Sequence, residues 1–252
     1  MQNIFGPGVL FATPLYDAYG NAISNPSPVQ FGVSQEASID ISFDTKQLYG
    51  QNQFPVAIGR GKGKATGKFK FAQLNGALLN SVVFGQTLTA GLQADVYDTT
   101  GAAIPGTPFQ ITPTVPNSGT WLQDLGVRSS TGVPLTRVAS GPTTGQYAVA
   151  AGVYTFASAD TGLTVFINYQ YTATSTTAKK STVLSIPMGL APSFRADIYF
   201  PYNGKTATFT FNNCVANKLS LSSKLDDFMV PELDFDIFAD TSNNLFTYAL
   251  SE

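Results

Sequence analysis

Apolar and polar residues alternate along much of this chain with the period of two that marks a strand with one wet face. In Glu36–Asp44 the apolar positions are Ala37, Ile39, Ile41 and Phe43, and the polar ones are Glu36, Ser38, Asp40, Ser42 and Asp44. Residues 61–71 repeat the pattern with the opposite charge. Lys62, Lys64, Thr66, Lys68 and Lys70 share one face; Gly61, Gly63, Ala65, Gly67, Phe69 and Phe71 share the other. Paired antiparallel, the two strands set an acidic row beside a lysine row and give cross-strand ion pairs. The small residues leave room for another backbone or a helix to approach.

Between these strands runs Thr45–Arg60, far longer than a hairpin turn and carrying Leu48, Tyr49, Phe54, Val56 and Ile58. Long connections in compact domains are functional or disordered. This one is too apolar for disorder, so it either docks on something or folds over its own core. A helix is expected over Ala72–Phe84, with Leu74, Leu78 and Val82 on one face, Phe71 leading in and Gly85 closing it. The stretch 95–180 is dense in Gly, Pro, Thr and Ser. Its best strands are Gln146–Phe156 and Leu163–Thr172, with Asp160-Thr-Gly162 as turn chemistry between them. In the second, Val165, Ile167, Tyr169 and Tyr171 alternate with polar neighbours.

Clean alternation returns in the last third. Phe194, Ala196, Ile198 and Phe200 form one stripe, Ala207, Phe209 and Phe211 a second, and Leu233, Phe235 and Ile237 a third that opposes Glu232, Asp234 and Asp236. Asp240–Asn244 turns the chain into a final strand, Leu245–Leu250. Strands at short spacing around a single helix define an all-β chain, a β-sandwich or barrel with one flanking α-helix and an elaborated β-rich middle segment. The shift in composition sets 95–180 apart as a middle segment between 1–94 and 181–252.

Composition narrows the chemistry. Charged residues are 12% of 252, about half the roughly 25% of an ordinary soluble domain, while aromatics reach 12% with 19 Phe and 11 Tyr. There is no histidine, which removes the commonest general base and the commonest metal ligand together. A single cysteine, Cys214, allows no intrachain disulfide and no cysteine-based metal cluster. Net charge is −2 but unevenly spread: residues 1–90 balance at +2, 91–180 at zero and 181–252 at −4. That leaves no basic surplus for phosphate-driven nucleic-acid binding, and oppositely charged ends suit head-to-tail stacking of copies. Neither a signal peptide nor an apolar run of membrane-helix length is evident, so no membrane anchoring is expected, and the chain is expected to be made in the cytoplasm.

The motifs that invite catalytic readings have plainer ones. Gly59–Lys68 resembles a phosphate loop, but a Walker pattern ending at Gly67-Lys68 needs glycine where Lys62 stands and Ser or Thr where Phe69 stands. A dinucleotide pattern from Gly61 needs glycine at Thr66. Asp226, Asp227, Glu232, Asp234 and Asp236 have the chemistry of paired carboxylates or a hard-cation site. Strand alternation explains the last three, and a hairpin turn explains Asp240–Asn244. No Gly-x-Ser-x-Gly elbow occurs. Cys214 reads as a small buried hydrophobe. The expectation is a non-enzyme with no catalytic residues, no metal and no cofactor.

The run Gln35–Phe84 resembles the N-terminal half of tail tube (major tail) proteins of tailed bacteriophages. The likeness lies in the acidic strand ending Ile-Asp-Ile-Ser-Phe-Asp44 and in a long loop with Lys46-Gln-Leu-Tyr-Gly50 and Gln53-Phe-Pro55. It continues in the Gly/Lys strand Arg60–Lys70 and the helix around Ala72–Asn80. Asp124-Leu-Gly-Val127, Gly145-Gln-Tyr147, Gly152–Phe156 and Lys224-Leu-Asp-Asp-Phe228 are also similar to sequences common among phage virion proteins.

The resemblance implies a structural virion protein whose hexameric rings stack into a tail tube, a self-assembled conduit for genome ejection, with residues 1–94 plus 181–252 as a tail-tube-like β-barrel and 95–180 as an insertion or an elaboration of that barrel. The implied partners are copies of the chain, a tape-measure protein in the lumen and tail-end proteins, with DNA passing transiently and without specific binding. In that family a long loop between two early strands contacts the next ring, which makes Leu48, Tyr49, Phe54, Val56 and Ile58 inter-ring candidates. A conduit for DNA avoids a bare lysine row, so Glu36, Asp40 and Asp44 are expected to neutralise Lys62, Lys64, Lys68 and Lys70 at the lumen or between subunits. The competing readings are a capsid decoration, tail-tip or baseplate protein and, from another class, a carbohydrate-binding or adhesin module with an exposed aromatic platform.

Overall fold

The structure is a computed structural model that describes residues 3 and 5–251. In chain order its first strands are β1 (Val9–Tyr16), β2 (Val29–Gln30), β3 (Ser34–Tyr49) and β4 (Pro55–Phe71), followed by the short helix α1 (Gly76–Leu79). Next come β5 (Thr89–Ala90), β6 (Leu92–Val96), β7 (Ala102–Ala103), β8 (Gln110–Ile111), β9 (Thr120–Ser129), β10 (Thr136–Arg137), β11 (Gln146–Ala150), β12 (Val153–Phe156), β13 (Thr164–Ala173) and β14 (Lys179–Lys180). The chain closes with β15 (Ser193–Tyr202), β16 (Lys205–Ser220), β17 (Glu232–Phe238) and β18 (Phe246–Leu250). It is mostly β, as the alternation predicts, and it divides into two compact units, Met1–Leu88 with Ser181–Glu252, and Thr89–Lys180. Among the described residues the sheets are open, so of the two forms expected, sandwich or barrel, no closed barrel forms.

The first unit is built on one sheet in the order β2-β1-β15-β16-β17-β4-β3, with β18 also paired to β16. The long strand β16 holds two neighbours end to end along one edge: β18 against Ala207–Phe211 and β17 against Asn213–Ser220. The alternating stripes meet on one face, where Leu10, Phe69, Phe71, Phe194, Ile198, Phe211, Leu233 and Phe235 are fully buried or nearly so. Phe31 sits edge-on to Phe69 and Phe71, with ring centroids 5.5 and 5.4 Å away. The helix covers this face through Leu78, Leu79 and Val82.

That helix is shorter than the periodicity predicts. The Asn75 side chain accepts from the backbone N–H groups of Ala77 and Leu78, which starts the helix at Gly76 and leaves Leu74 before it, exposed. The last turn widens into a π turn over Asn80–Phe84 and ends at Gly85, whose φ of 57° is left-handed. A Cβ at Gly85 would lie 2.6 Å from the backbone nitrogen of Ala18, so both conformation and space call for glycine.

The second unit packs two small sheets face to face. Tyr147, Tyr154 and Phe156 of the sheet β10-β11-β12-β8 meet Val127, Val165, Ile167, Tyr169 and Tyr171 of the sheet formed by β6, β7, β9 and β13. The stretch Gln146–Phe156 is a hairpin and not the single strand expected. Ala151 and Gly152 both take positive φ, 49° and 85°, as a tight two-residue turn between antiparallel strands demands. β10 and β11 run parallel, a departure from the otherwise antiparallel pairing.

Candidate assembly surface: a bare hairpin arm and a charge ladder

The expected long loop between Asp44 and Gly61 is strand. β3 and β4 pair antiparallel from Ser34↔Phe71 out to Tyr49↔Pro55, with only a short turn over Gly50–Phe54. Leu48 lies opposite Ala57, and Gln47 opposite Ile58. Residues chosen by nature for a loop would favour turn chemistry, whereas Val56, Ile58, Leu48 and Tyr49 are good strand formers. The reading that this segment folds over its own core is also overturned. Leu48, Tyr49, Phe54, Val56 and Ile58 are 63%, 57%, 79%, 66% and 63% exposed.

The hairpin has two halves. From Ala65 to Phe71, β4 is flanked by β3 on one side and β17 on the other, in the register Ile237↔Ala65 to Glu232↔Lys70. Before Ala65 no third strand joins it among the described residues, and from Ile41 through Lys64 every residue but Pro55 is exposed. This distal half is an arm with two free edges. An isolated two-stranded hairpin is marginal in water, and long bare edges are templates for pairing with another chain. Local contacts stiffen the arm: the Arg60 guanidinium lies 4.1 Å from the centroid of the Phe43 ring, which covers Gly63.

The proximal half carries the charge row. Lys70 donates to Glu36, as the alternation predicts, but Lys68 finds Glu232 on β17 at 3.0 Å. Glu232 also accepts from Lys218 of β16 at 2.9 Å, and Lys218 lies 3.5 Å from Asp234. The ladder therefore spans four strands, β3-β4-β17-β16. Hydrogen bonds from Lys218 and Lys68 hold the Glu232 carboxyl at about 2, well below the ordinary glutamate value of 4.5. Glu36 raises Lys70 by hydrogen bonding, and Glu232 does the same for Lys218. Of the expected neutralising set, only Glu36 pairs. Asp40 lies opposite Thr66 and accepts the Ser38 hydroxyl at 3.1 Å; Asp40, Asp44, Lys62 and Lys64 make no ion pair among the described residues.

Gly63 and Gly67 of β4 accommodate aromatic rings from neighbouring strands, Phe43 and Phe235, and not a helix. A Cβ at Gly67 would lie 2.2 Å from the Phe235 ring directly across the pair. Elsewhere the aromatic residues are less buried than alternation suggests: Tyr16, Tyr19, Tyr199, Tyr202 and Tyr248 are all exposed.

Two features escape a reading of alternation alone. In the second unit the carboxylate of Asp124 is buried and fully engaged. It accepts from the hydroxyls of Tyr147 at 2.7 Å and Tyr154 at 3.1 Å and from the Gly126 N–H at 3.1 Å, with Arg137 at 3.8 Å. Trp121 donates to the Tyr154 hydroxyl at 3.3 Å. Burial, with the neighbouring carboxylate, pushes both phenols up, so they stay protonated donors. Cys214 is likewise pushed up by burial and is an inert part of the core. The second feature is the segment between β16 and β17, residues 221–231, where Leu225 and Phe228 are 99% and 90% exposed around Asp226 and Asp227. The signal available in sequence was apolar residues flanking an acidic pair. No protein-family model matches this chain, and no curated protein sequence does either.

Proposed function

We propose that the chain is a structural virion protein of the tail-tube kind, whose rings stack into a conduit for genome ejection. One observation carries the reading: a hairpin arm, bare on both faces and both edges, that carries seven large apolar side chains (Ile41, Phe43, Leu48, Tyr49, Phe54, Val56 and Ile58) out from a well-packed sheet. A monomer gains nothing from such an arm, because exposed apolar side chains are neutral at best and free edges invite aggregation. A subunit that buries it against a copy gains apolar contact and backbone pairing together. The low charge of the whole chain supports the same reading, since interface cores are depleted in charge and enriched in aromatics.

In this proposal the arm makes the ring-to-ring contact, and the polar ladder face, with Lys68, Lys70 and Lys218 neutralised within the subunit, is the face that DNA passes without binding. Negative-stain microscopy of the purified protein at rising concentration tests it. Rings of sixfold symmetry or hollow tubes are the expected result. A monomer or a finite trimer at every concentration would refute it and favour a decoration or tail-tip role.

A further inference from the structure

Resting on the tube reading, we infer that the arm of one subunit seats on the 221–231 segment of a subunit in the adjoining ring. The two surfaces lie at opposite ends of the same sheet. Glu232, which follows the segment, is level with Lys70 and Glu36 at the base of the hairpin, and Phe71 donates its N–H to the Pro231 carbonyl at 3.1 Å. At about 3.3 Å per residue the arm tip at Tyr49 stands roughly 40 Å along β3 from Glu36. Complementary patches at opposite ends make a heterologous, head-to-tail contact, and such a contact propagates as an open stack.

Their chemistry matches. Residues 44–64 hold Lys46, Arg60, Lys62 and Lys64 against Asp44 alone. The 221–231 segment holds Asp226 and Asp227 against Lys224. Lys62, Lys64, Asp226 and Asp227 are exposed and make no ion pair among the described residues. Leu225 and Phe228 flank those carboxylates in sequence, and on β4 the exposed Ile58 is followed at the strand's period of two by Arg60, which also makes no ion pair among the described residues, and by Lys62. Apolar anchors supply the affinity of such a contact, and the surrounding charges fix its register and select the partner.

The test uses two full-length proteins, Ile58→Cys and Leu225→Cys. The native Cys214 is fully buried and stays out of thiol chemistry. Mixed under a mild copper–phenanthroline oxidant, they are expected to give a disulfide-linked dimer that neither gives alone. No link in the mixture, or equal linking by each protein alone, overturns the inference. In tubes, the pair Arg60→Asp and Lys62→Asp is expected to abolish elongation, and adding Asp226→Lys and Asp227→Lys to the same chain is expected to restore it. Loss without restoration places the arm's seat elsewhere and leaves the tube reading standing. Failure of the unmodified protein to form rings or tubes removes the tube reading itself, and the crosslink alone then decides the arm's partner.

Discussion

The two halves of one hairpin have nearly the same sequence pattern and opposite fates. Near the base, Ala65, Phe69 and Phe71 alternate with polar residues and are buried; further out, Ile41, Phe43, Val56 and Ile58 are just as apolar and stand in solvent. What differs is the neighbourhood. β17 reaches only as far as the Ile237↔Ala65 pair, and the helix lies over the core end of the sheet. Alternation decides which side chains share a face, and the extent of adjacent strands decides whether that face is covered. An apolar face left bare by its own chain points to a cover supplied by another.

Substitution should break the comparison most sharply at Phe69. Phe69→Ala removes a fully buried ring and is expected to cost about 3–5 kcal/mol in urea denaturation. A comparable loss for Ile58→Ala would mean the arm is part of the core after all. Next in size is Asp124→Ala in the second unit. It strips acceptors from two buried phenols and a backbone N–H, with an expected loss of about 1–3 kcal/mol. Unchanged stability there would show the tyrosines finding other partners.

Glycines on the same strand sharpen the contrast. Gly67→Ala drives a methyl into the Phe235 ring and is expected to cost about 1–2 kcal/mol by urea midpoint. Gly59→Ala, whose nearest foreign atom is the Lys46 carbonyl oxygen at 4.0 Å, is expected to be neutral or slightly stabilising. Smaller again is the ladder's pH dependence. The Glu232 carboxyl is depressed, so its stabilisation is complete above the unfolded value near 4.5 and fades as pH falls toward about 2. Melting curves of the unaltered protein and Glu232→Gln should therefore converge across that window, and a constant gap would deny Glu232 this role. Smallest on folding are Leu48→Ser and Ile58→Ser, within about 0.5 kcal/mol by urea midpoint, although in the proposed tube both should stop elongation seen by microscopy.

The strands and their core faces were legible because aliphatic and aromatic residues recur at a period of two in β13, β15 and β17, and Gly85 marked the helix end. The arm was legible as apolar but not as strand, since the Gly-Gln-Asn-Gln run at 50–53 resembles an extended loop when its turn is not yet distinguished from its flanks. Glu232 looked like one more wet-face residue. Its role depends on bringing Lys68 and Lys218, distant in sequence, to either side of it, and only the strand order β4-β17-β16 does that. The Asp124 network is hidden for the same reason: Trp121, Tyr147 and Tyr154 come from strands of two different sheets.

The most direct test of the arm as an assembly device is microscopy of the full chain beside a variant in which residues 44–62 are replaced by an Asn-Gly turn joining Phe43 to its partner Gly63. The expected result is tubes from the full chain, and from the variant a folded protein of unchanged melting behaviour that never elongates. Tubes of equal length from both proteins would contradict it.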